Sequence, residues 1–139
     1  MSDDYGSKWL SYVCSNAKND GVKMYLSGMG ADELFSDYGF NGTKIFNHSN
    51  FGGLFPDKLE SIFPWNSFYG SSMESYLAKE EYIGGSYGLE ARYPYLDVNV
   101  VQEFLNLTPK LKNLIYKSVI DNYLTKHNFP FCKGEKLGF

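Results

Sequence analysis

Apolar residues recur at helical spacing between residues 5 and 19, where Trp9, Leu10, Tyr12, Val13 and Ala17 predict a helix with a partly amphipathic face. Asn19-Asp20-Gly21 reads as a stop and a turn. Val22, Met24 and Leu26 then alternate with their neighbours, the period of a short half-buried strand over 22–26. Gly28 and Gly30 allow a tight turn after it, and Asp32-Glu33 open a short apolar segment of one or two helical turns.

The middle of the chain is patterned less sharply. Residues 37–56 are rich in Gly, Asn and aromatics and read as a loop with aromatic anchors. Asp57 to Ile62, bounded by Pro56 and Pro64, predicts a short helix, and Asn66 to Ala78 a weaker one interrupted near Gly70-Ser71-Ser72. Gly84-Gly85-Ser86-Tyr87-Gly88 argues against a regular helix, since each Gly costs about 1 kcal/mol relative to Ala. Pro94 sets a turn, and Asp97 is placed to cap a helix over Val98 to Leu107. Thr108-Pro109 breaks that helix, and Leu111 to Leu124 predicts an amphipathic one with Leu114, Ile115, Val119, Ile120 and Tyr123 available for burial. A helix leading into a strand that ends in a Gly-rich turn is half of an α/β unit. Only this one strand is clear from the pattern.

Composition narrows the function classes. A chain of 139 residues with 43% hydrophobic and 18% aromatic residues fits one modest globular domain over residues 1–139. A formal charge of −3 without a basic cluster excludes a nucleic-acid footprint. No apolar run approaches the roughly 20 residues needed to span a bilayer, and Met1-Ser-Asp-Asp-Tyr5 lacks the features of a secretory signal. A soluble cytoplasmic protein without a membrane partner is the expectation. Cys14 and Cys132 lie far apart and read as reduced thiols, and His48 and His127 form no metal-type spacing.

Two stretches carry candidate chemistry. Strand, Gly-rich turn and acidic helix start over Ser27 to Glu33 make a corner where backbone N–H groups can face an anion and carboxylates can hold Mg²⁺. An ordinary strand-to-helix turn, with acids favoured by the helix dipole, satisfies the same spacing. Arg92 is the only arginine among thirteen basic residues, and pairing with Glu90 or Asp97 is its plain reading.

Ser27-Gly28-Met29-Gly30-Ala31-Asp32-Glu33-Leu34-Phe35 resembles the Ser-Gly-Glu-Gly-Ala-Asp-Glu-Leu-Phe signature of the asparagine synthetase family, differing only at Met29. Glu90-Ala91-Arg92-Tyr93-Pro94-Tyr95-Leu96-Asp97 resembles that family's Glu-x-Arg-x-Pro-Phe-Leu-Asp motif, with Tyr95 for Phe and with Glu81 upstream where Asp is common. Further on, Lys117 aligns with the arginine of a Lys-x-x-Leu-Arg-like segment. Asn113 falls on its lysine, and Lys112 is one position off. Phe129-Pro130 and the stretch from Lys133 to Phe139 resemble the family's closing motifs.

The resemblance implies an α/β fold, namely the C-terminal, mostly helical portion of an adenine-nucleotide alpha-hydrolase-like (ATP-pyrophosphatase) domain lacking the first strands of its parallel sheet. It implies an enzyme of the glutamine-hydrolysing asparagine synthase type, incomplete on its own. Such enzymes adenylate the aspartate side chain with ATP and release pyrophosphate, and ammonia then forms the amide. ATP and Mg²⁺ are the implied cofactors. Asp32 would ligate Mg²⁺, Ser27, Gly28, Met29 and Gly30 would shape the nucleotide corner, and Lys117, with Lys112 as its partner, would face the phosphates. Glu33, Glu90, Arg92 and Asp97 would support the pocket.

Three departures qualify the likeness. The family's Ser-Gly-Gly-x-Asp-Ser pyrophosphate loop is absent from the sequence, as is the glutaminase domain. An N-terminal half or a glutaminase partner is therefore expected, with ammonia free or derived from glutamine. Met29 replaces a Glu suited to assisting amide formation, and a thioether cannot accept that proton. Two alternatives follow: an amide-forming enzyme of the same family with another acceptor, of the β-lactam or peptide-cyclising type, or a non-catalytic remnant that binds a partner.

Overall fold

The computed structural model describes residues 4–35, 39–40, 43–44, 51, 53–115 and 117–132. The closing stretch from Lys133 to Phe139, and His48, lie outside the described residues.

Helix α1 spans Tyr5–Asn19, the bounds its pattern predicts. Asp4 caps it, its carboxylate accepting from Ser7 N at 3.2 Å and from Ser7 Oγ at 2.6 Å. These bonds, with Lys79 beside them, hold the Asp4 carboxyl below its usual range. The buried stripe runs through Leu10, Cys14 and Ala17, whereas Trp9, Tyr12 and Val13 face solvent. The largest apolar residues of α1 therefore do not form its packed face here. That face lies on α3 (Ser72–Ser86), joined by a 2.7 Å hydrogen bond between the Ser11 and Tyr87 hydroxyls.

Strand β1 (Met24–Leu26) pairs in parallel with β4 (Glu90–Arg92), in the register Met24 to Glu90, Tyr25 to Ala91 and Leu26 to Arg92. The Glu-x-Arg segment is thus the second strand of the sheet, which its composition did not announce. The predicted period of two holds for β1, but its phase is inverted. Val22, Met24 and Leu26 are exposed, Leu26 to 70%, while Tyr25 and Ala91 turn inward toward α3. A one-residue change of phase moves every side chain of a strand to the other face.

Gly84 explains both that inversion and the persistence of α3 through Gly84-Gly85. A Cβ at Gly84 would come within 2.9 Å of the Tyr25 hydroxyl. The bare backbone lets the Tyr25 ring lie against the helix, and that packing outweighs the propensity cost of about 1 kcal/mol. The helix closes with Gly88 at φ +74, Gly88 N donating to Gly85 O and Leu89 N to Gly84 O, both at 3.0 Å. This left-handed closing turn satisfies the last carbonyls and feeds Leu89 straight into β4.

After β1 come the five-residue helix α2 (Ala31–Phe35) and a two-residue antiparallel hairpin of β2 (Gly39–Phe40) and β3 (Thr43–Lys44) within the predicted loop. The helix expected over Asp57–Ile62 shrinks to a 3-10 turn at Leu59–Ser61, and the one expected from Asn66 begins only at Ser72. The intervening residues are tied to α2 instead: Trp65 Nε1 and Ser67 Oγ both donate to Glu33 O at 3.0 Å. Around Trp65 gathers the main core, with Ala31, Leu34, Phe35, Phe55 and Phe104. Its rings meet mostly edge to face, as in Phe55 against Trp65 at 5.3 Å.

Helix α4 (Val98–Asn106) is capped by Asp97, whose Oδ1 accepts from Asn99 N at 2.9 Å. The helix expected over Leu111–Leu124 is broken into α5 (Pro109–Lys112) and α6 (Ser118–Lys126). Asn113 bonds Phe55 through both amide atoms, Oδ1 accepting from Phe55 N at 2.9 Å and Nδ2 donating to Phe55 O at 2.8 Å. Ser118 Oγ donates to Leu111 O at 2.7 Å, and Lys117 takes the left-handed conformation at φ +51. These bonds hold the chain in a tight reversal that a continuous helix could not make. Among the described residues, no helix is long and apolar enough to cross a membrane.

Candidate functional site

The Ser27–Gly30 turn sits at the carboxyl end of β1, the edge where ligands of open α/β sheets collect. Ser27 N donates to Arg92 O at 2.8 Å, which extends the parallel pairing by one residue. Gly30 has φ +88, and a Cβ there would meet Leu96 at 2.6 Å. Only glycine serves at this position, because both its conformation and the approach of Leu96 forbid a side chain. Phe35 meets the Tyr95 ring edge-on at 5.9 Å. The two motif stretches, some sixty residues apart in sequence, are therefore interlocked residue against residue.

At the start of α2 the Asp32 carboxylate receives Lys117, with Nζ 2.7 Å from Oδ1 and the side chains 26% and 32% exposed. Lys117 arrives from the reversal between α5 and α6, and its left-handed backbone directs the ammonium across to the turn. Glu33 is buried, and its carbonyl is the acceptor that anchors Trp65 and Ser67. Met29 is half-buried, with its N–H donated to Ser27 Oγ at 3.1 Å, and Gly28 is exposed with open space around its α-carbon.

The remaining expected residues are placed apart from Asp32. Arg92 pairs with Glu90 at 2.6 Å on the exposed sheet face, rather than with Asp97, which is occupied as the cap of α4. Lys112 lies apart from the Asp32–Lys117 pair. Expected beside the phosphates, it is 3% exposed, donates to Leu105 O at 3.0 Å and lies over the Phe55 and Phe104 rings at 5.3 and 5.2 Å. Burial pushes its ammonium pKa down, and cation–π contact with two rings supports the charge that remains. Asn113, the other residue aligned with a phosphate-facing lysine, is the clamp on Phe55.

Behind the turn lies a layer of acids and phenols, of which the sequence pointed to Glu81 and Tyr93 but not to Glu80 or Tyr25. Glu80 is 4% exposed, and its Oε2 accepts from Ser27 Oγ at 2.9 Å. Tyr25 is pushed up in pKa by burial and then by the Glu80 charge, and Cys14 by the same two causes. Tyr93 donates to Glu81 Oε1 at 2.8 Å, and burial followed by that bond raises its phenol pKa. The available signal was an acid on the inward stripe of a helix, Met73, Glu80 and Gly84 being seven and four residues apart, but it becomes readable only once α3 is placed at 72–86.

Chemically, the corner combines a carboxylate, an ammonium and a glycine turn. No cluster of three or more acids, histidines or cysteines able to hold a metal occurs among the described residues. A single carboxylate still suits Mg²⁺, which takes one or two such ligands and fills its other positions with water and phosphate oxygens. Asp32 is the residue that could fill that role, and Lys117 is the cation beside it.

Comparison with known proteins agrees with this geometry. The asparagine synthase family model matches residues 4–66, which include the whole Ser27–Phe35 stretch. The chain is 31% identical over 102 residues to a Methanocaldococcus jannaschii protein named as a glutamine-hydrolyzing asparagine synthetase, a match covering 73% of this chain and 17% of that protein. Identity to the Arabidopsis thaliana glutamine-hydrolyzing asparagine synthetase 1 is 32% over 95 residues, covering 68% and 14% of the two. The human asparagine synthetase domain-containing protein 1 is 32% identical over 88 residues, covering 63% and 12%. The chain thus spans less than a fifth of the length of the curated relatives it matches. No solved structure matches it. The chain is thus similar to the asparagine synthase family, by the family model over residues 4–66 and by these relatives over part of their length.

Proposed function

We propose that this chain supplies one wall of an adenylating site in an ATP-dependent amide-forming ligase, as the C-terminal, mostly helical portion of an ATP-pyrophosphatase domain. The observation that carries the reading is the meeting of Asp32 and Lys117 at the carboxyl end of β1. In this reading the aspartate side-chain carboxylate attacks ATP to form an acyl-adenylate with release of pyrophosphate, and ammonia then displaces AMP to form the amide.

Bound Mg²⁺ would supply charge neutralisation on the phosphates. The chain's own residues do the rest. Asp32 presents the hard oxygen ligand, and Lys117 offsets phosphate charge as pyrophosphate departs. The Ser27–Gly30 turn shapes the nucleotide corner. Glu33 and Asp97 hold the walls, through the Trp65 and Ser67 anchors and the cap of α4.

The same reading calls for a second part of the protein. A parallel sheet is ordinarily covered on both faces, yet Met24, Leu26, Glu90 and Arg92 leave one face of the β1–β4 pair exposed. An N-terminal half carrying the pyrophosphate loop, with or without a glutaminase, would cover it. The test is aspartate-dependent ATP–pyrophosphate exchange by the chain joined to such a half. Absence of exchange in a folded assembly would sink the reading.

Met29 favours a second acceptor class. A thioether offers no proton acceptor for amide formation, so adenylation tolerates it better than amidation does. Exchange driven by other carboxylates but not by aspartate would select an amide-forming enzyme of β-lactam or cyclising type.

A further inference from the structure

Glu80 is the one buried carboxylate of α3, and the roles assigned above make no use of it. Burying a carboxylate is costly unless hydrogen bonds or a cation compensate. Among the described residues no cation pairs with Glu80; its Oε2 accepts from the Ser27 hydroxyl at 2.9 Å, and the buried Tyr25 phenol lies close enough to feel its charge. The Ser27 hydroxyl has one proton. By donating it to Glu80, Ser27 leaves its lone pairs for the Met29 N–H, which it accepts at 3.1 Å.

A chain of two hydrogen bonds therefore runs from a rigid 15-residue helix into the turn. It acts on the N–H of the Gly28–Met29 peptide, whose carbonyl accepts more weakly from Ala31 N at 3.4 Å. Without an acceptor at Glu80 the Ser27 hydroxyl is free to rotate, and the Met29 N–H has no fixed partner. Gly28 and Gly30 impose little orientation of their own at Met29, because glycine backbones are permissive. A charged acceptor makes the stronger and shorter of the available hydrogen bonds, which suits it to hold a hydroxyl in one rotamer.

We propose that Glu80 is the positioning residue of the Ser27–Gly30 turn, acting through the Ser27 hydroxyl to fix the Met29 peptide beside Asp32. The inference rests on the adenylating reading for its purpose, since a fixed peptide matters there for holding phosphate in register. Its geometry does not depend on that reading. Glu80 touches no substrate in this scheme; it acts on Ser27, and Ser27 acts on the turn.

Hydrogen exchange of the Met29 amide in the 139-residue chain tests it without any nucleotide. Glu80→Ala and Ser27→Ala should each lower Met29 protection about tenfold, while Glu80→Gln, whose amide oxygen still accepts, should keep it. If Glu80→Ala loosens α3 as a whole, Ser27→Ala, which leaves the helix untouched, decides the matter. Unchanged Met29 protection in Ser27→Ala, or loss in Glu80→Gln equal to that in Glu80→Ala, would overturn the proposal. In the assembled protein, pyrophosphate affinity should follow the same order of variants. Absence of exchange in the unsubstituted assembly would overturn the adenylating reading alone, because the amide measurement stands apart from it.

Discussion

Lys117 Nζ lies 2.7 Å from Asp32 Oδ1, joining the reversal before α6 to the first turn of α2. Eighty-five positions separate the two residues in sequence. The pair is half-sheltered, so its Coulomb energy is partly screened and its contribution to stability is modest, about 1 kcal/mol or less. Its larger meaning is positional: it places a cation beside the carboxylate proposed above as the metal ligand.

Asp32→Asn and Lys117→Met should each lower stability by about 0.5–1 kcal/mol, with a coupling of similar size in the double-mutant cycle measured by urea unfolding. In the assembled protein both should reduce ATP–pyrophosphate exchange by roughly 100-fold, as losses of transition-state charge stabilisation do. Normal exchange in Asp32→Asn would remove Asp32 from the site.

Gly84 and Gly85 should respond in opposite directions to alanine. Gly85 has open space at its α-carbon, and Gly85→Ala should raise stability by up to about 1 kcal/mol through helix propensity. Gly84→Ala drives a methyl group toward the Tyr25 hydroxyl and should cost about 1–3 kcal/mol. Thermal melts of the two variants compare them directly.

Trp65 is both a core ring and a donor to Glu33 O. Trp65→Phe should cost about 1–3 kcal/mol from the lost Nε1 hydrogen bond and the lost ring volume, with Ser67 still bonded to the carbonyl, and Ser67→Ala about 1 kcal/mol. Because both bonds end on the carbonyl before Leu34, Asp32 should become more mobile in either variant, as seen in raised amide exchange across α2.

Tyr25 and Tyr93 carry raised phenol pKa values, from burial first and then from Glu80 and Glu81 respectively. A phenol whose folded pKa exceeds its unfolded value keeps the proton longer in the folded state. Its stabilisation is complete below the unfolded value of about 10 and is lost as pH rises beyond it. Stability measured by urea unfolding should therefore fall above about pH 10. Tyr25→Phe with Tyr93→Phe should flatten that fall, and an unchanged slope would contradict it.

The bare sheet face predicts behaviour of the chain alone. Met24 and Leu26 beside an unpaired strand edge favour association, so sedimentation should show oligomers that Leu26→Lys reduces. A sharp monomer peak in the unsubstituted chain would count against a missing covering part.

Local sequence sufficed wherever a feature depends on neighbours in the chain. The bounds of α1 follow from a capping acid and a Gly-bearing stop, the start of α4 from Asp97, and its end from Thr108-Pro109. The motif stretches marked the corner, and the resemblance to the family singled out Asp32 and Lys117 as its charged residues. What resisted reading depends on partners far away. The phase of β1 turns on whether Tyr25 can reach α3, and that rests on a glycine about sixty residues later. Helix α3 crosses two glycines because tertiary packing exceeds their propensity cost.

The two lysines state the division most sharply. By sequence, Lys112 and Lys117 are five residues apart in one predicted helix, both basic and both plausible beside phosphate. The family resemblance offered both lysines as partners for the acid of the glycine turn. Tertiary structure decided which of them pairs with Asp32. Asn113 clamps Phe55 and breaks the helix, which buries Lys112 between two aromatic rings and turns Lys117 outward to Asp32. Spacing along a chain sets which residue types can act; a side-chain clamp between distant segments sets which one arrives.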